Sequence, residues 1–180
     1  MNETEKKLLQ GARECLIKEG HRRTTIKRIA EYAGVNHGLV HHYFGSKEGL
    51  LLALLEQTQQ GAITRFFDEN QLPQTSSASQ ENALKQFLEF TRSHAAGESL
   101  MLEFLAMSAE SSVIAEKLRK VIHSRRQLFQ KMFGVSEGEA TLLISLVLGT
   151  FIQSQIDPEI PVDALLERFA SLFTVIQHPK

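Results

Sequence analysis

The 180-residue chain has one cysteine, no tryptophan, two tyrosines and four prolines. A lone Cys15 excludes an internal disulfide and a zinc site built from cysteines. It also suits a reducing compartment, so a cytoplasmic protein is expected. The opening MNETEKKLLQ has no apolar run behind basic residues, which predicts no cleaved signal peptide. The longest uncharged stretch, Ala140–Ile156, is interrupted by Thr141, Ser145, Gly149, Thr150, Gln153, Ser154 and Gln155. A membrane span needs about 20 mostly apolar residues. A buried helix and no membrane partner are therefore expected. Also missing are a glycine-rich phosphate loop, a nucleophile elbow and a zinc-protease pattern. Ser108, Glu110 and His123 make no recognisable triad. No enzymatic activity, no cofactor and no metal site are expected.

What is present is an ordinary globular composition, 42% hydrophobic and 23% charged. A chain of this length buries roughly 70% of its unfolded surface without staples. The overall net charge of −1 conceals an asymmetry. Residues 1–47 hold nine Lys/Arg against five Glu, a net +4, together with four histidines. Residues 48–180 hold 11 Lys/Arg against 16 Asp/Glu, a net −5. A basic head on an acidic body predicts a polyanionic partner for the head.

Helix punctuation recurs along the chain, and alternating strand patterns do not. The first helix reads from about Thr4 to Glu19, its stripe formed by Leu8, Ala12, Cys15 and Leu16 and widened by Leu9 and Ile17; Gly20 stops it. A second opens at Thr25, turns Ile26, Ile29, Ala30 and Ala33 inward and stops at Gly34. A third reads from Asn36 to Tyr43, ended by Gly45. Ser46 caps a fourth that runs to about Asn70. The segment NQLPQTSSASQ is a loop. Helices follow at about 80–95, 98–109, 112–133, 136–156 and 162–177. The expected fold is all-α with about nine helices, divided into an N-terminal head, 1–47, and a helical body, 48–180. The helices at 136–156 and 162–177 are apolar around most of their circumference. One chain has too few partners to cover both, so a homodimer through them is expected.

Residues 25–43 have the spacing of helix, tight turn and helix, the arrangement that places a second helix in the major groove. Val35, Val40 and Phe44 can anchor that helix. Asn36, His37, Leu39, His41 and His42 then face largely outward, where a duplex would supply the counter-surface.

The run GHRRTTIKRIAEYAGVNHGLVHHYFGSKEGLL resembles the N-terminal domain of TetR/AcrR-type transcriptional regulators. The resemblance rests on Gly20, Thr24, Thr25, Ile29, Ala30, Ala33, Gly34, Val35, Gly38, Val40, Phe44, Ser46, Lys47, Glu48 and Leu50, and it covers about 50 residues. It implies an all-helical homodimer that binds a palindromic double-stranded DNA operator. It also implies a variable C-terminal domain that binds a small effector and releases the DNA. A repressor associated with the nucleoid is the expected result. By the resemblance, Thr25 and Lys47 contact phosphate, and Asn36, His37, Gly38 and Leu39 open the groove-facing helix. His41 stands where the family usually has a phosphate-contacting tyrosine, with His42 beside it on the same face. His21 replaces a frequent aromatic. Gly49 replaces a frequent glutamate, which leaves the Ser46 capping box incomplete. The recognition helix has no Lys or Arg, so bidentate guanine reading from it is not expected. A DNA-bound structural or division factor on the same fold, without an effector, is the alternative.

The effector is expected to be small and apolar. Candidate pocket residues are Phe66, Phe90, His94, Met101, Phe104 and His123, although phenylalanines at helical spacing also describe an ordinary core. His37, His41 and His42 lack a nearby cysteine or carboxylate set and read as DNA-facing rather than metal-binding. Cys15 reads as a small buried residue.

Overall fold

The computed structural model of the chain describes residues 1–69, 95–157, 159–165 and 167–168, with side chains described for 1–59 and from 99 onward within these ranges. Among the described residues there are seven full helices and no strand: α1 (Glu3–Glu19), α2 (Ile26–Ala33), α3 (Gly38–Phe44), α4 (Lys47–Glu69), α5 (Ala95–Ser108), α6 (Ser112–Phe133) and α7 (Glu137–Ile156). The helix expected at 80–95 lies outside the described residues. The last expected helix is helical at 162–165 and 167–168, and the rest of it lies outside.

Local chemistry sets most of these boundaries. Asn2 and Glu5 form a reciprocal capping box at α1: Asn2 Oδ1 accepts from the Glu5 N–H (2.9 Å) and Glu5 Oε2 from the Asn2 N–H (2.6 Å). Thr25 Oγ1 accepts from the Arg28 N–H (3.2 Å) and caps α2, which ends at Gly34 in the left-handed region (φ 64°). Ser136 and Glu139 form a second capping box at α7, and the Ser136 backbone N–H holds the Glu139 carboxyl below its ordinary range. One boundary differs from the sequence expectation. Helix α3 starts at Gly38, not Asn36, because the Asn36 Oδ1 accepts the Gly38 N–H at 2.8 Å. An asparagine that binds backbone two residues on makes a turn before the helix rather than its first residue.

Two compact units result: residues 1–63 with 96–121, and residues 64–95 with 122–180. In the first, Leu8, Leu9, Leu16, Ile29, Val40, Leu50, Leu51, Leu54, Leu55, Leu100 and Phe104 are all buried. Each such side chain contributes roughly 1.5–3 kcal/mol when fully removed from water. Helices α1 and α2 meet at Gly11. A Cβ there would fall 2.7 Å from the Ala33 nitrogen and the Ile29 carbonyl oxygen. No side chain fits.

In the second unit, the end of α6 packs on α7 through Phe129, Met132, Phe133, Val135, Ala140, Leu143, Ile144 and Val147. Phe129 and Phe133 meet edge-on, 5.6 Å between centroids. Helix α7 is thus buried along one face only. Its other side exposes Leu142 and Ile156, at 67% and 79%, so the all-round burial expected from its composition is not met within one chain. By length and composition α7 is long and apolar enough to cross a membrane.

Gly11→Ala is expected to destabilise the chain by about 1–3 kcal/mol, the cost of forcing a methyl into filled space. Gly138→Ala, which meets only Ser136 Oγ at 4.0 Å, is the matched control and should be neutral or stabilising. Thermal melts of the two variants test this. Equal melting temperatures would remove the close crossing from the account.

Candidate nucleic-acid interface

Helix α3 divides as its sequence suggests. Val40 is fully buried and holds the helix to the first unit, with Val35 and Phe44 half-buried on either side. Asn36, His37, Gly38, His41 and His42 are exposed, and Leu39 is half-buried. Thr25 is exposed at the start of α2, and Lys47 is half-buried at the start of α4. The candidate contact residues therefore flank one exposed, largely polar helix.

The hydrogen bonds refine what each residue can offer. Asn36 uses its carbonyl oxygen on the Gly38 N–H, which leaves its NH2 group as a donor. His41 Nδ1 lies 3.0 Å from the Gly45 carbonyl oxygen. A carbonyl only accepts, so Nδ1 carries the proton. The neutral ring then presents a lone pair at Nε2, and the protonated ring presents a second N–H. His42 stands edge-on to Tyr43, with 4.7 Å between centroids.

The junction into α4 explains a departure noted in the sequence. Gly49 donates its N–H to Ser46 Oγ at 3.0 Å. A Cβ at Gly49 would fall 2.2 Å from the Phe44 carbonyl oxygen. The end of α3 abuts the first turn of α4 so closely that a glutamate here would displace the backbone.

Sequence reasoning missed the charge network behind α2. Arg28 bonds both Glu19 and Glu31, and the Tyr32 hydroxyl donates to Glu19 at 2.9 Å. Lys18 and Arg28 both lie over the Tyr32 ring, at 5.3 and 5.5 Å. Arg28, and secondarily the Tyr32 hydroxyl, hold the Glu19 carboxyl below its ordinary range. Glu19 in turn raises the Tyr32 phenol. Arg28 is thus committed to structure, while Lys6, Lys7, Arg22, Arg23 and Lys27 remain exposed on the head. A charge count along the chain could not separate these two uses.

The remaining candidates are placed as follows. Met101 and Phe104 are buried on α5 in the first unit. His123, in the second, is exposed and lies 3.1 Å from Gln127 Nε2. The side chain of Phe66 and all of Phe90 and His94 lie outside the described residues. Among the described residues, no group of three or more His, Cys, Asp or Glu is arranged to hold a metal ion. Cys15 is fully buried, and burial raises its thiol above the ordinary value, which suits packing rather than reactivity.

Because Glu19 is depressed in the folded state, its contribution is present above the ordinary glutamate range and is lost as pH falls through its folded value. Glu19→Gln should therefore lower the melting temperature near pH 7 and flatten its fall below about pH 4. Parallel acid profiles for the variant and the unmodified chain would show that the network carries no such stability.

Residues 8–54 match the profile of the tetR family of bacterial regulatory proteins. The HTH-type transcriptional repressor AcnR of Corynebacterium glutamicum is 40% identical over 50 residues, covering 28% of this chain and 27% of that protein. The HTH-type transcriptional regulator YvkB of Bacillus subtilis is 44% identical over 57 residues, covering 32% and 30%. The match thus spans less than a third of either relative's length. A solved TetR transcription regulator from Haloarcula marismortui superposes with a TM-score of 0.80 at 17% identity, covering 97% of both chains. At that identity the likeness establishes a shared fold.

Proposed function

We propose, from the premise that residues 8–54 make this chain a member of the tetR family of bacterial regulatory proteins, that it is a sequence-specific DNA-binding regulator of transcription. The reading is carried by one observation: α3 is anchored through buried Val40 and, together with the turn before it, exposes Asn36, His37, His41 and His42 between Thr25 and Lys47. In this reading, residues 1–47 read DNA and residues 48–180 form the effector and dimerisation domain. Thr25 and Lys47 hold phosphate, and Asn36, His37 and Leu39 meet base edges. Gly38 permits close backbone approach. His41 reaches phosphate through Nε2. The protein works in the cytoplasm on nucleoid DNA. It is a repressor, the role named for the AcnR relative, and a small apolar effector releases it.

The contact classes separate by salt and sequence. Lys47→Ala should weaken binding to operator and scrambled duplex alike and reduce the slope of log K against log salt by about one. His37→Ala should cost about 1–3 kcal/mol on the operator and little on scrambled DNA. Binding should tighten from about pH 8 to pH 6, because protonated imidazoles on this face attract phosphate. Salt and pH titrations on a selected operator and its scramble measure all three. A Lys47→Ala defect confined to the operator would reverse the role assignment. Genome-wide occupancy without expression changes at neighbouring genes would favour a structural factor.

The body is proposed to pair as a two-fold homodimer through the helices near 136–156 and 162–177. Support comes from the outer face of α7, where Leu142, Ser145, Gly149, Ile152 and Ile156 follow one another at intervals of three and four residues. Leu142, Ser145, Ile152 and Ile156 are exposed, and a Cβ at Gly149 would meet nothing within 4 Å. Such spacing suits close helix pairing. An interface on the order of 2,000 Å² is expected. Gly149→Leu should shift the sedimentation profile from dimer toward monomer; a monomeric unmodified chain at micromolar concentration contradicts the assembly.

A further inference from the structure

The turn between α1 and α2 has a polar partner far away in sequence. Glu103, on α5, uses Oε2 to accept the His21 backbone N–H at 2.7 Å, and the same oxygen lies 3.0 Å from His21 Nδ1. Glu110 Oε1 lies 3.9 Å from His21 Nε2. The turn itself is tight. Gly20 has φ 77° and donates to the Leu16 carbonyl at 2.9 Å, and buried Thr24 donates its hydroxyl to the Gly20 carbonyl at 2.8 Å. The His21 and Glu103 side chains are 18% and 28% exposed. A sheltered carboxylate bonded to a backbone N–H is a strong, directional contact.

A second hold lies on the other side of the helix-turn-helix. Ser111 donates its hydroxyl to Glu48 Oε1 at 2.6 Å and accepts the Ile114 N–H at 3.2 Å. Lys117 Nζ lies 3.0 Å from Glu56 Oε2. The segment from Glu103 to Lys117 therefore grips the chain just before α2 and just after α3. Met101 and Phe104, both buried, flank Glu103 on α5.

We propose that Glu103 is a positioning residue for DNA reading: its carboxylate, seated on the His21 amide and ring, fixes the angle at which α2 and α3 leave α1. The Ser111–Glu48 bond is the second hold. The proposal rests on the DNA-reading role given above.

The test uses the full-length chain with Glu103→Ala, Glu103→Gln and His21→Ala. Operator affinity, scrambled-duplex affinity, melting temperature and amide exchange are measured for each. Glu103→Ala should lose on the order of tenfold in operator affinity, within the usual span of coupling effects, and much less on scrambled duplex. Its amides at 26–44 should exchange faster, while those of α7 stay unchanged. Glu103→Gln keeps an oxygen acceptor at the same reach and should restore most of the affinity. His21→Ala keeps the amide bond and loses the ring bond, so an intermediate loss is expected even if Glu103→Ala does not fold. Wild-type operator affinity and wild-type exchange in all folded variants would overturn the proposal. So would equal losses in the Gln and Ala variants that follow melting temperature alone. Should the unmodified chain bind no DNA, the functional reading falls, and exchange at 26–44 still decides whether Glu103 positions the head.

Discussion

The direction of α3 depends on how closely α2 lies against α1. At Gly11 the two backbones approach to a distance that excludes even a methyl group, and α2 carries α3 with it through the short turn at Gly34, held left-handed at φ 64°. Three glycine-dependent features thus act in series: the crossing at Gly11, the turn at Gly34 and the junction at Gly49. Each removes freedom from the next element. Helix α3 spans only seven residues, too short to be stable alone, so its direction comes from this chain of contacts and from buried Val40.

Charge on the head is divided between ion pairs that hold the fold and cations left exposed. Arg28 is spent on Glu19 and Glu31, and this ties α2 to the end of α1. The exposed cations lie in α1, the α1–α2 turn and the start of α2, while α3 contributes His41 and His42, with His37 just before it, and no Lys or Arg. Affinity and discrimination are then separable in principle. On the proposed reading, flanking cations would release counterions from any duplex, whereas the polar and apolar groups around α3 would respond to base edges. The acidic remainder of the chain opposes non-specific contact elsewhere on its surface.

Local signals were legible in the sequence because local forces set them. Gly20, Gly34 and Gly45 end helices where they were expected to, and Thr25, Ser46 and Ser136 accept from backbone amides in the following turn. Within α3, Val40 is buried while its neighbours His41 and His42 are exposed, and His37 is exposed in the turn before the helix. What escaped was tertiary. Gly11 sits mid-helix, where glycine costs about 1 kcal/mol relative to alanine. That cost was a usable signal, but it does not say which backbone lies opposite. Gly49 looked like a defect in a capping box until the Phe44 carbonyl appeared beside it. The Asn36 boundary slipped because a side chain competed with the helix for one amide. Glu103 and His21 are 82 residues apart, and no periodicity links them.

Helix α7 shows the limit of composition from the other direction. Its apolar residues surround the axis, yet among the described residues Leu142, Ile152 and Ile156 stay exposed while Leu143, Ile144 and Val147 pack on Phe129, Phe133 and Val135. Hydrophobic burial is indifferent to which chain provides the cover. A second copy can therefore complete a core that the fold leaves half built. In a two-fold dimer the two reading helices must fall about one helical turn of DNA apart, roughly 34 Å. On the proposed reading, that separation would constrain the pairing of the two chains more strictly than affinity does. A small change in the angle of α2 and α3 leaves each contact chemically intact and still misplaces both helices with respect to one palindrome. Rigidity at Gly11 and a hold at His21 are what such a requirement selects, because specificity in a symmetric reader depends on where the second helix lands when the first is already in its groove.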